Sequence, residues 1–197
     1  MCELPVFYAT TEGQTRRIAE RLSAMLHERG IDSQPIDVTS NDARQVDWRG
    51  VRAVAVGASV HAGRHQVAIE DFIRANRDEL SARPSAFFSV SMRAASPAPA
   101  DQHAALQLAR TFAAGTSWQP RHMTALAGRL AYTKYGWLTR WFIKRIARRT
   151  GLATDTSQDH EYTDWNQVAR LAEDLVAELH RGVVTRNPVA SQQEKAS

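Results

Sequence analysis

Cysteine is almost absent from this chain of 197 residues, since Cys2 is the only one. A single thiol builds neither a disulfide framework nor a cysteine metal site within the chain, and such usage is typical of a reducing compartment. Long apolar runs are also absent. No stretch approaches the roughly 18 apolar residues of a spanning helix, and the N-terminus shows no signal-peptide pattern. We therefore expect a protein that is soluble or peripheral to a membrane.

Several sequence motifs of catalysis and binding are missing. The chain has neither the G-x-G-x-x-G pattern of dinucleotide sites nor the lysine-ended phosphate loop of nucleotide triphosphatases. No G-x-S-x-G elbow surrounds Ser59, Ser89 or Ser91, which disfavours hydrolytic chemistry. His61 and His65 are four positions apart, but no third ligand is close to them in sequence. We therefore expect surface or loop histidines and no metal site.

Acidic residues are missing from positions 129–149, where seven basic residues occur instead. They are Arg129, Lys134, Arg140, Lys144, Arg145, Arg148 and Arg149. Because the net charge of the whole chain is only +4, the remainder of the chain is slightly acidic. The basic character belongs to one segment and is not the uniform coat that suits nucleic acid, so we expect no nucleic-acid partner.

The basic segment also carries an apolar stripe at helical spacing, formed by Leu138, Trp141, Phe142 and Ile146. Trp137 lies near its start, and the basic residues Arg140, Lys144, Arg148 and Arg149 fall elsewhere around the helix. Aromatic anchors beside a cationic face are typical of a helix at an anionic lipid surface. A solvated basic helix packed onto the domain is the alternative. A helix that covers the active site and also contacts lipid is compatible with both interpretations.

Strand and helix patterns alternate along the rest of the chain, whose 43% hydrophobic content is that of a globular protein. Apolar strand patterns end at residues 9, 38, 58, 91 and 128. A loop is predicted at 59–65 and one helix over 67–80. Strands joined through helices are parallel, with right-handed crossovers. Residues 4–180 are therefore predicted to form an α/β domain with a doubly wound five-stranded parallel sheet in the flavodoxin-like order 2-1-3-4-5.

Two segments fall outside that regular pattern. Residues 129–155 form a basic and aromatic insertion after the fifth strand, and a helical insertion is predicted there. Residues 181–197 are polar and patternless, so we predict a disordered tail.

Three loops of such a sheet converge at the carboxyl ends of strands 1, 3 and 4. The first, at 10–15, joins a strand to a helix. Its threonine hydroxyls and the free N–H groups of the helix suit a phosphate, and Gly13 allows close approach. The loops at 58–65 and 89–93 have small or neutral residues near the strand ends, and such residues leave room for a flat ring. The alternative interpretation of the first loop is an ordinary helix cap that binds no phosphate.

These motifs together resemble a known family. Thr10-Thr11-Glu12-Gly13-Gln14-Thr15, Gly57-Ala58-Ser59, residues 84–90 and Tyr162-Thr163-Asp164-Trp165 look like the flavodoxin-type, quinone-dependent protoporphyrinogen oxidases of bacteria. The resemblance covers roughly residues 4–180. It implies FMN and the oxidation of protoporphyrinogen IX to protoporphyrin IX in haem biosynthesis, with electrons passed to a quinone (menaquinone or ubiquinone). It also implies a cytoplasmic protein peripheral to the anionic surface of the inner membrane.

The resemblance also assigns site residues by position. The FMN phosphate would be bound by Thr10, Thr11, Glu12, Gly13, Gln14 and Thr15. The isoalloxazine would be flanked by Ser59, Val60, His61, Ala62 and Gly63 and by Phe87, Phe88, Ser89, Val90, Ser91 and Met92. Substrate or membrane contacts are expected from Arg93, Trp137, Arg140, Trp141, Lys144 and Arg148. No catalytic acid or base is identified.

The chain departs from ordinary flavodoxins at two points. Glu12 stands where they offer a hydroxyl to the phosphate. The aromatic residues that often sandwich the flavin in electron carriers are missing from 58–65 and 89–93. An open flavin face suits a bulky planar substrate.

Three alternatives to the porphyrinogen enzyme stay open. A flavodoxin-type electron carrier usually presents an acidic rim to its partners, and the basic segment argues against that. An NAD(P)H:quinone reductase of similar fold lacks support because no nicotinamide signature is found. A non-catalytic membrane-binding module would leave the threonine-rich loop unexplained.

Overall fold

A computed structural model describes residues 2–130 and 160–184 of the chain. The strands are β1 (Val6–Ala9), β2 (Pro35–Asp37), β3 (Val54–His61), β4 (Arg64–His65), β5 (Ser85–Ser91), β6 (His122–Ala127), β7 (Arg129–Leu130) and β8 (His160–Glu161). The helices are α1 (Gln14–His27), α2 (Asn41–Arg44), α3 (Val67–Ala75), α4 (Arg77–Ser81), α5 (Pro99–Gly115) and α6 (Trp165–Val184). Most of the basic insertion lies outside these residues, as does the predicted tail from residue 185 onward; residues 181–184, predicted to begin that tail, belong to α6.

The main sheet has the predicted doubly wound topology. Its five parallel strands follow the order β2-β1-β3-β5-β6, which is the predicted order 2-1-3-4-5 once the short β4 is left out of the numbering. Pro35 begins β2 at the edge of the sheet, where its missing N–H costs no ladder hydrogen bond. Two short antiparallel additions accompany this sheet, namely β4 beside the end of β3 and the β7–β8 ribbon.

The sheet separates two apolar cores. Helices α1 and α6 cover one face, where Ile18, Leu22 and Leu26 of α1 meet Leu171 and Leu175 of α6. Helices α3 and α5 contribute to the other core, which also contains the fully buried Trp118. Because strands buried on both faces must be apolar throughout, the continuous apolar runs of β3 and β5 follow from this layering.

A glycine in β3 makes room for an aromatic ring. Gly57 pairs with Phe88 on the neighbouring strand, and a Cβ built at Gly57 would lie 2.1 Å from the Phe88 ring. Phe88 is completely buried. The ring therefore lies directly over the glycine, and any side chain at position 57 would displace it.

Two predicted element boundaries are wrong. Strand β3 continues past Ala58 to His61 and turns back into β4, so residues 59–65 form a hairpin instead of a loop. The single helix predicted over 67–80 is interrupted at Asn76. The Asn76 side chain donates to the carbonyl oxygen of Phe72 at 2.9 Å, and such a local bond competes with the helix.

Among the helices that the structure describes, none combines the length and the apolar character required to cross a membrane.

Candidate functional site

The carboxyl ends of three strands meet at one edge of the sheet. The register pairs Ala9 with Ala58, Ser59 with Val90, and Ser91 with Ala127. Thr10, Ser59 and Val90 therefore lie at the same level of the sheet, although β3 itself continues two residues further, to His61. The structure brings together the three segments that the sequence predicts to form the site.

The loop at 10–15 has the backbone of an anion cradle. Gly13 adopts φ 94°, in the left-handed region that favours glycine, and its N–H donates to Thr10 Oγ1 at 3.0 Å. The first hydrogen bond of α1 runs from Arg17 N to Gly13 O. The N–H groups of the three residues between them precede that bond, and this is the end of a helix that attracts anions.

Thr15 supplies a buried hydroxyl at the same place. Its side chain is 0% exposed, and its Oγ1 has no hydrogen-bond partner in the part of the chain that the structure describes. A buried hydroxyl without a partner is unfavourable by about 1–3 kcal/mol. An anion bound at the start of α1 would remove that penalty.

Gln14 lies beside Thr15 and has a fixed orientation. Its Nε2 donates to Glu161 Oε1 at 3.1 Å and to Thr163 Oγ1 at 2.8 Å. The Glu161 carboxylate only accepts, and the Thr163 hydroxyl donates its own hydrogen to Ala127 O at 2.9 Å. Both partners therefore require a donor, so the amide nitrogen of Gln14 must face them.

Gln66 joins the first two segments of the site. Its Nε2 donates to Thr11 Oγ1 at 3.3 Å and also to Ser59 Oγ. The Oε1 of Gln66 is buried and has no partner within residues 2–130 and 160–184. The role of Gln66 could not be predicted from the sequence, because a glutamine just before a helix carries no signal of a contact with a loop 55 positions away.

The hairpin places the two histidines of this segment, His61 and His65, in different environments. His61 is exposed, as predicted. His65 is half-buried against the Phe112 ring at 4.3 Å, and its Nε2 lies 2.9 Å from Ser89 Oγ. Burial lowers the pKa of His65 from 6.5 to about 4. A packed, neutral imidazole thus replaces the surface or loop histidine expected at position 65.

The depressed pKa of His65 predicts a pH dependence of stability. The unfolded chain protonates this ring near pH 6.5 and the folded protein only near pH 4, so the unfolded state gains protons first as pH falls. Stability should therefore decrease by up to about 3 kcal/mol between pH 6.5 and 4. Urea unfolding measured across this range should show that the free energy of unfolding depends less steeply on pH in His65→Gln than in the wild type. Exposed His27 provides the control, since His27→Gln should keep the wild-type slope.

Residues of β5 divide into core and edge. Phe87 and Phe88 are fully buried, each in one of the two cores. Beyond them, Ser91 Oγ accepts from Ala94 N at 3.3 Å, Met92 is half-buried, and the exposed Arg93 lies 3.9 Å from an oxygen of Asp101. The polar and cationic groups that a ligand can reach therefore come after Val90.

The two ends of the basic insertion start from this same edge. Arg129 of β7 pairs with Glu161 of β8, Gly128 N donates to Ser91 O at 3.2 Å, and Tyr162 N donates to Gly128 O at 3.1 Å. The predicted substrate or membrane residues Trp137, Arg140, Trp141, Lys144 and Arg148 lie outside the described residues.

Comparison with known proteins agrees with this architecture. A family model described as a flavodoxin domain matches residues 5–157. The protoporphyrinogen IX dehydrogenase [quinone] of Escherichia coli K12 is 34% identical over 86% of this chain and 92% of its own length. The chain belongs to this flavodoxin-type family. The Leishmania major protein of the same name is 32% identical over 87% of this chain and 74% of its own length.

A solved flavodoxin has the same fold. Flavodoxin 1 of Bacillus cereus aligns with a TM-score of 0.51 at 12% identity, covering 88% of this chain and 97% of that protein. The family resemblance and the fold class predicted from the sequence are both confirmed.

The described residues fit the cofactor that the family implies. The start of α1 offers N–H donors and the unpaired hydroxyl of Thr15, as the single phosphate of FMN requires. Glu12 in the same loop is half-buried and engaged in an interaction of its own.

Proposed function

We propose that the protein is an FMN-dependent dehydrogenase that oxidises protoporphyrinogen IX to protoporphyrin IX in haem biosynthesis and transfers the electrons to a quinone. The observation that carries the proposal is the 34% identity with the Escherichia coli enzyme over 92% of its length. The donor-rich start of α1 at the carboxyl edge of the sheet supports it independently, since it matches the phosphate of FMN.

The site residues have distinct roles in this proposal. The first turn of α1 and Thr15 bind the phosphate, while the loop backbone is braced by the bond from Gly13 to Thr10. The segments at 59–63 and 89–92 flank the isoalloxazine. Phe87 and Phe88 support that edge from within the cores, so the ring would be contacted mainly by Ser91 and Met92, the residues beyond Val90.

When bound, FMN supplies the electron transfer, and the protein binds and orients the reactants. Removal of six electrons and six protons from the porphyrinogen requires three quinones, each released as a quinol. Arg93 is an exposed cation at the site edge, suited to a propionate of the substrate. The neutral ring of His65 holds Ser89 Oγ in place below that edge.

We further propose that the protein acts at the cytoplasmic face of the inner membrane. The support is the sequence of residues 129–149, where seven basic residues accompany Trp137, Trp141 and Phe142. The ribbon that holds the ends of this insertion lies at the site edge. Contact with anionic lipid there would give a quinone a short path to the flavin.

The decisive experiment measures porphyrin formation without oxygen. Purified protein loaded with FMN is incubated anaerobically with protoporphyrinogen IX, with or without a menaquinone analogue. Porphyrin fluorescence should rise steadily only when quinone is present, because without an acceptor turnover stops after the bound flavin is reduced. Rapid reduction by NADPH with no response to porphyrinogen would favour a reductase instead.

A further inference from the structure

The β7–β8 ribbon, which joins the two ends of the insertion, is hydrogen-bonded directly to the loop at 10–15 that we propose to bind the phosphate. Glu161 of β8 accepts from Gln14 Nε2 at 3.1 Å through Oε1 and from Arg17 at 2.6 Å through Oε2. Thr163 Oγ1 links the same Gln14 amide to Ala127 at the end of β6. Two residues that follow the insertion therefore hold the first turn of α1.

Two members of this network are buried and two, Arg17 and Glu161, are exposed. Gln14 is 6% exposed and Thr163 is 8% exposed, and each hydrogen bond of the Gln14 amide nitrogen has a fixed direction. The two oxygens of the Glu161 carboxylate accept from different donors, Gln14 and Arg17, so a side chain with a single acceptor atom would not replace it. Arg17 also lies over the Trp165 ring, 5.6 Å from its centroid. The amide nitrogen of Gln14 is thus held by two acceptors, while its Oε1 is buried and has no partner among the described residues.

We propose that Glu161 and Thr163 form a positioning clamp, which holds Gln14 and Arg17 so that the start of α1 is preorganised for the phosphate of FMN. The clamp couples cofactor binding to the β7–β8 ribbon at the root of the insertion. By reciprocity, FMN binding stabilises this ribbon to the same extent that the ribbon favours FMN. This inference rests on the proposed FMN dependence.

Simple electrostatics makes the opposite prediction for Glu161. A carboxylate near the phosphate repels it, and Arg17 released from the ion pair would attract it, so loss of Glu161 would tighten FMN binding. The clamp predicts weaker binding, because the helix start would no longer be held in place. The sign of the effect therefore separates the two accounts.

The test compares FMN with riboflavin, which lacks the phosphate. Affinities are measured by flavin fluorescence for the wild type, Glu161→Ala, the charge-neutral Thr163→Val and the control Glu20→Ala. Glu20 pairs with Arg16 on the exposed side of α1 at 2.7 Å and does not reach the ribbon. We expect Glu161→Ala and Thr163→Val to weaken FMN about tenfold and to change riboflavin affinity little. Glu20→Ala should change neither affinity.

Hydrogen exchange provides a readout that does not depend on activity. FMN should slow amide exchange at residues 129–130 and 160–162 in the wild type, and less so in Thr163→Val. Unchanged or tighter FMN binding in both clamp variants, or an equal loss of riboflavin affinity, would overturn the clamp. Failure of the wild type to bind FMN would instead overturn the proposed function.

Discussion

Replacement of Thr15 by valine should stabilise the FMN-free protein and weaken FMN binding about ten- to hundredfold. The two effects have one cause. The Thr15 hydroxyl is fully buried and has no partner among residues 2–130 and 160–184, so valine removes an unfavourable polar group at nearly constant shape. Removal of the same hydroxyl deletes a hydrogen bond to a charged phosphate, and such a bond contributes about 1.5–3 kcal/mol.

Thermal unfolding and flavin titration measure these effects separately. The melting temperature of the FMN-free protein should rise by about 2–4 °C per kcal/mol gained. Thr116→Val is the matched control, since Thr116 is also buried but its Oγ1 donates to Ala113 O at 2.8 Å. This control should destabilise the protein and leave FMN affinity unchanged. A Thr15 variant that is less stable and binds FMN normally would show that the hydroxyl has a purely structural role.

The parallel core of the fold could be predicted because its signals are local. Each central strand is buried on both faces and reads as a continuous apolar run, as in Val54-Ala55-Val56 and Ala86-Phe87-Phe88. Glycine and threonine after β1 marked the turn to α1. Such patterns need no knowledge of distant neighbours, and the order of the strands followed from crossover geometry.

The missed features depend on contacts that are distant in sequence. Gln14 and Glu161 are 147 positions apart, and neither residue type indicates the other. The extension of β3 to His61 depends on pairing with β4, and the neutral state of His65 on packing against Phe112. Thr163 belonged to a recognisable motif, but its bond to Gln14 becomes visible only when α6 is placed beside α1.

Membrane attachment should depend mainly on four basic side chains of the insertion. The variant changes Arg140, Lys144, Arg148 and Arg149 to glutamine. Each basic residue near an anionic surface contributes about 1 kcal/mol, so the variant should bind anionic vesicles about a thousandfold more weakly. High salt should reduce wild-type binding similarly, because the attraction falls off over about 10 Å at 0.1 M salt.

The matched control changes to glutamine four exposed arginines elsewhere on the domain, namely Arg21, Arg44, Arg74 and Arg77. Both variants lower the net charge equally, so only the position of the charge differs between them. Vesicle sedimentation should show strong binding for this control and little for the insertion variant, while both retain FMN because the cradle at the start of α1 is intact. Equal loss of binding in the two variants would show that overall charge, and not the insertion, attracts the protein to lipid. Loss of FMN in the insertion variant alone would show that the segment supports the cofactor site itself, and membrane contact would then need a different surface.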